Sequence, residues 1–179
     1  YIVKIAAGLV AVLLLLLGMV AAIGHVDGSI ALGEPGADGP AMSDNSPVTG
    51  VEKAYLEFVI NTLQQVSTDI NSLGSLYRQP EMEDQYWKAS VTVLLNRIEG
   101  GYLNVVELEP TERLVPFQDR AVEALDHSAQ FARVIRGDLI EGQTELSQVA
   151  ADELVAAAES FGEAEMWLGE FLEAHPLPE

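Results

Sequence analysis

VEKAYLEFVINTLQQVSTDINSLGSLY, residues 51–77, sets Tyr55, Phe58, Val59, Thr62, Val66, Ile70, Leu73 and Tyr77 mostly three or four positions apart. Such steps return to one side of a 3.6-residue helix, so the stretch predicts an amphipathic helix with one buried stripe. A single stripe needs partners, and three more segments downstream carry the same period. The second begins near Pro80, where proline suits a first helical turn and Glu81, Glu83 and Asp84 complement the positive end of the dipole. It turns Trp87, Val91, Leu94, Leu95 and Ile98 inward and then meets the breaker pair Gly100-Gly101. Residues 102–116 read as a connection with a short helical turn at Thr111 to Leu114, because Pro110 and Pro116 interrupt anything longer.

The third helix spans Phe117 to Arg136 and is capped by Gly137 as a left-handed residue, with Phe117, Ala121, Ala124, Leu125, Phe131, Val134 and Ile135 inward. The fourth runs from Thr144 to Ala174 and is stopped by Pro176. Its apolar side is Leu146, Val149, Leu154, Ala157, Phe161, Ala164, Leu168 and Phe171. Trp87, Trp167, Phe131 and Phe161 are core residues on this reading. Four amphipathic helices with no convincing strand give an antiparallel four-helix bundle over residues 51–179, the size of one domain.

Upstream, residues 24–50 change to Gly, Pro, Ser, Asp and Asn. Pro35, Pro40 and Pro47 forbid a continuous helix, so an extended linker is expected. Before it lies an uninterrupted apolar run from Ile5 to Ile23, with Lys4 the only charge of residues 1–23. At ~1.5 Å per residue such a run covers ~28 Å, the hydrocarbon thickness of a bilayer. Val20, Ala21 and Ala22 would suit signal-peptide cleavage, but the run exceeds the ~7–15 apolar residues of a signal peptide. The expected architecture is therefore all-α: an N-terminal transmembrane helix (1–23), a Gly/Pro-rich linker (24–50) and the bundle. Lys4 on one side, against Asp27, Glu34, Asp38 and Asp44 on the other, puts the N-terminus in the cytoplasm and the bundle outside.

Within the run, Ala7, Ala11, Gly18 and Ala22 share one narrow stripe where another membrane helix could approach closely. The net charge of −19 becomes −20 once Lys4 is set aside, which repels nucleic acid and anionic headgroups. The last basic residue is Arg136, and eleven acids follow it, a solvated face or a surface for a basic partner. With no cysteine there is no disulfide, Cys-ligated metal or covalently attached haem.

His127 with Glu123, and His175 with Glu173, fit ordinary helix histidines rather than the paired Glu-x-x-His motifs of di-iron bundles. A non-covalent haem between His127 and Met82 or Met166 has no spacing rule behind it, and His25 reads as interfacial. No nucleophile elbow or phosphate loop is present, so no catalytic residue, metal or cofactor is assigned.

YLEFV (55–59), DQYWKASVTVLLNRI (84–98), LEPTERLVPFQDRAVEAL (108–125) and RGDLIEGQTELSQVAADEL (136–154) together resemble a group of uncharacterised bacterial extracytoplasmic proteins, lipid-anchored or single-span. The resemblance implies a helical bundle outside the membrane and brings no established activity. Two functions are expected from all this. One is a non-catalytic accessory or structural subunit of a larger membrane complex, bound to other membrane subunits through span and linker. The other is a free-standing anchored receptor that takes a small ligand between its helices.

Overall fold

The computed structural model describes residues 46–143 and 145–175. The Ile5 to Ile23 run with Ala7, Ala11, Gly18 and Ala22, together with His25, most of the linker and Pro176, lies outside the described residues. Among the described residues no helix is long and apolar enough to cross a membrane. They form four α-helices and no strand: α1 (Gly50–Tyr77), α2 (Gln85–Val106), α3 (Val115–Ile140) and α4 (Gln148–Ala174), with a 3-10 turn at Glu112–Leu114 ahead of α3.

Consecutive helices run antiparallel. Arg97 of α2 reaches back to Asp69 of α1, Arg136 of α3 to Glu99 of α2, and His127 of α3 faces Glu153 of α4. α3 is central, packed against α2 and α4 and more lightly against α1, whereas α1 and α4 scarcely touch. That position explains its composition. Ala121, Ala124, Ser128, Ala129 and Ala132 are fully buried, and small side chains let neighbours approach from more than one side. Larger residues, Phe117, Leu125, Phe131 and Ile135, fill the layers between.

Several expectations are corrected. α2 begins at Gln85, capped by the Asp84 side chain accepting from the Tyr86 N–H, so Pro80 lies in the turn before it. Gly100-Gly101 does not break α2. Neither glycine has a positive φ, and Gly101 is buried where a Cβ would lie 2.4 Å from Val66 Cγ2. Gly101 lets α1 and α2 approach closely, and the helix continues through both glycines.

α3 likewise passes through Gly137 to Ile140, and the left-handed glycine is Gly142, at φ 79. α4 starts after Ser147, whose hydroxyl accepts from the Ala150 N–H, rather than at Thr144. The buried stripe of α1 is Leu56, Val59, Ile60, Leu63, Val66, Ile70 and Leu73, which leaves Phe58 46% exposed. Val149 is 58% exposed because the inward face of α4 begins at Ala150 and Leu154.

Candidate functional site

The end of the bundle where α1 begins and α4 finishes gathers the chain's most constrained polar groups. Ser46 to Thr49, expected to belong to the extended linker, are packed there, with Val48 buried in the core. Thr49 caps α1 reciprocally. Its hydroxyl oxygen accepts from the Glu52 N–H at 3.2 Å, while the Glu52 carboxylate accepts from the Thr49 N–H at 2.9 Å.

Glu52 is only 3% exposed, so its charge needs compensation inside the protein. Arg113 supplies it from the 3-10 turn. Its Nε donates to Oε1 at 3.1 Å and its Nη2 to Oε2 at 2.7 Å, and the Thr111 hydroxyl adds a bond to Oε1 at 2.9 Å. Burial by itself would raise the Glu52 pKa; the Arg113 guanidinium, the Thr49 N–H and the two threonine hydroxyls outweigh it and hold the carboxyl down at about 2.

The same guanidinium reaches the incoming chain. Its Nη1 donates to the Ser46 carbonyl at 3.1 Å and its Nη2 to the Pro47 carbonyl at 3.5 Å. Its carbon also lies 5.7 Å from the centroid of Phe171 near the end of α4. Phe171 is itself stacked between Trp167, centroids 5.0 Å apart, and His175, 4.4 Å apart, and Trp167 stacks on Phe117. Behind this lies Gln118, which accepts from the Tyr55 hydroxyl and donates to the Val105 carbonyl at 2.7 Å, joining α1, α2 and α3. Burial first, then the Asp119 charge, pushes the Tyr55 hydroxyl up to about 12, so it stays a donor at neutral pH.

One arginine thus fastens the segment leading into α1 to three separate parts of the bundle. Chemically the arrangement is a clamp on a chain segment. Thr49-x-x-Glu52 is a capping-box pattern that identifies this helix start in the sequence, but Arg113 lies 61 positions from Glu52 and has no local signature.

The histidines take local roles. His127 Nδ1 meets Glu153 Oε2 at 2.8 Å rather than Glu123, and His175 Nδ1 lies 2.9 Å from the Phe171 carbonyl oxygen. Met166 is 63% exposed, while Met82 packs against the core in the turn between α1 and α2, at the end opposite Arg113. Trp87, Phe131 and Phe161 are core residues as expected, and Trp167 is half-buried against the core. Among the described residues no group of three or more His, Asp or Glu is placed to hold a metal ion.

Two further carboxylates, buried Asp69 and half-buried Asp138, stand apart from the clamp. Asp69 accepts from Arg97 at 2.9 Å and from Gln65 at 3.1 Å, yet its Oδ2 has no hydrogen-bond partner, and burial outweighs both to raise its pKa. At the far end, the Tyr77 hydroxyl and Asp138 Oδ2 are both buried without partners. Burial and then the Asp138 charge push the tyrosine pKa upward. No protein-family model, curated protein or solved structure matches the chain.

Proposed function

We propose that the chain is a non-catalytic, membrane-tethered accessory or structural subunit of a larger membrane complex. Its N-terminal run serves as the anchor and its acidic bundle docks partners outside the cytoplasm. The observation that carries the reading is the Arg113 clamp. A bundle joined to an anchor by a free linker would need no fixed exit, whereas here Ser46 and Pro47 are tied by their carbonyls to the side chain that neutralises buried Glu52. A fixed exit sets the place where the tether leaves the bundle, which suits a bundle that docks to a neighbouring subunit.

Charge supports the same reading. α4 carries seven acids and no base, a surface suited to a basic partner and unsuited to anionic lipid. The anchor is tested by fractionating cells that express the full chain or a form lacking residues 5–23. The full chain should remain in the membrane pellet through an alkaline carbonate wash, and the shortened form should be recovered in the aqueous fraction with unchanged helicity. Release of the full chain by carbonate rejects the anchor.

A further inference from the structure

Among the described residues, four buried side-chain atoms have no hydrogen-bond partner: Ser67 Oγ, Asp69 Oδ2, the Tyr77 hydroxyl and Asp138 Oδ2. All four lie in the half of the bundle away from Arg113. Ser67 and Asp69 are two positions apart on α1 and so point to different sides of it. Tyr77 and Asp138 are different. Tyr77 is the last residue of α1 and Asp138 stands in the last turn of α3, two helices that finish at the same end of the bundle, and the Asp138 charge bears on the tyrosine hydroxyl. One is a hydroxyl donor and the other a carboxylate acceptor, yet no hydrogen bond joins them. Burying both unmatched would cost more than a made bond contributes, so the pair calls for a third group.

We infer that a single buried water molecule bridges the two, accepting from the Tyr77 hydroxyl and donating to Asp138 Oδ2. The protein groups nearby are engaged elsewhere. Trp87, whose ring centroid lies 5.9 Å from that of Tyr77, directs its indole N–H to the Leu76 carbonyl at 3.2 Å. Arg136 donates to Glu99 at 2.8 Å and to Asn96 at 3.0 Å, and neither α1 nor α3 carries a basic residue in its last turn. A metal ion would need more ligands than one carboxylate and a phenol, and no group of three or more His, Asp or Glu stands among the described residues. An organic cation is too large for two oxygens that are both closed to solvent.

A buried water needs two to four polar partners, which Tyr77 and Asp138 begin to supply together and which Asp69 Oδ2, standing singly, does not. The bridge has a structural consequence. α1 packs only lightly on α3, so at this end the two helices are linked through the water, where at the opposite end Arg113 links the chain by its own side chain. A water held this way leaves only when the end of the bundle opens, so its residence time reports that opening.

Water-oxygen magnetic relaxation dispersion on the full chain in mild detergent counts the long-lived internal waters. Tyr77→Phe and Asp138→Leu should each lack one water that the parent holds, and the double variant should lack that same one and no other. Asp138→Asn keeps an acceptor oxygen and should keep the water. In urea unfolding, each of the first two variants should lower the folding equilibrium constant about 5- to 30-fold, and the double variant no further than the worse of them, because removing both partners leaves no orphan. An unchanged water count in Tyr77→Phe overturns the proposal; if the penalties are still shared in the double variant, the two side chains bond each other directly. Loss of the water in Asp138→Asn, or penalties that multiply in the double variant, overturns it as well.

Discussion

Arg113 and Glu52, separated by 61 positions, meet through two parallel hydrogen bonds of 3.1 and 2.7 Å at the end of the bundle where the chain enters α1. The arginine side chain keeps 23% of its exposure and the glutamate 4%, so the carboxylate is the group that depends on the pair. This asymmetry sets the cost of breaking it.

Arg113→Met should destabilise the protein by about 2–4 kcal/mol, toward the ~3–5 kcal/mol typical when one partner of a buried pair is removed, because it strands a buried charge. Glu52→Gln should cost less, since an exposed-edge arginine can turn to water. Urea unfolding of the two variants checks the order. Limited proteolysis gives a second reading: in Arg113→Met the peptide bonds around Ser46 and Pro47 should be cut at protein concentrations of protease that leave the parent intact.

The two buried carboxylates of α1 should tilt the pH dependence in opposite senses. Glu52 has a folded pKa of about 2 against an ordinary value of 4.5, so its contribution is present above pH 4.5 and lost as pH falls toward 2. Asp69 is shifted upward by burial, so its ionisation weakens the fold as pH rises past the ordinary 3.8. Glu52→Gln should therefore flatten the acid limb of the stability curve. Asp69→Asn should be neutral to stabilising by up to about 1 kcal/mol at pH 7. A marked loss of stability in Asp69→Asn at neutral pH would contradict this account of its burial.

Glycines at three positions should respond differently to alanine. Gly101→Ala puts a methyl into Val66 at 2.4 Å, and overpacking of ~1–3 kcal/mol should exceed the ~1 kcal/mol helix gain. Gly137 is helical with open space around it, so Gly137→Ala should stabilise by about 0.5–1 kcal/mol. Gly142, at φ 79, should lose about 1–2 kcal/mol on the same change. Thermal unfolding of the three variants ranks them.

How much of this was legible in the sequence depended on whether the deciding contact was local. The bounds of α1 and the short turn near Glu112 follow from periodicity and proline, which act over a few residues. Gly100-Gly101 misleads because a glycine pair has the same local preference whether it breaks a helix or admits a neighbour; only Val66, on another helix, decides. Phe58 misleads for a related reason. It shares the helical period of the core but lies at the edge of the buried stripe, and how far a neighbouring helix covers that edge is a matter of helix arrangement rather than of α1 itself. The Arg113 clamp joins three distant stretches, so nothing near Arg113 announces it.

The stripe of Ala7, Ala11, Gly18 and Ala22 makes a prediction about the anchor. If it is a packing face, Ala11→Leu combined with Gly18→Leu should weaken association with membrane partners, while Leu16→Ala, on another side, should matter little. Recovery of partners from detergent extracts, after both variants are shown to insert equally, checks this. Undiminished recovery with the double variant would move the attachment to the linker or the bundle.

The central claim, that the chain works as a subunit of a larger membrane assembly, is tested most directly by native electrophoresis of membranes solubilised in mild detergent, with the chain detected by a C-terminal tag. The account predicts a band heavier than two 19.3 kDa copies plus detergent, containing other membrane chains. It is contradicted if the chain migrates only as one or two copies.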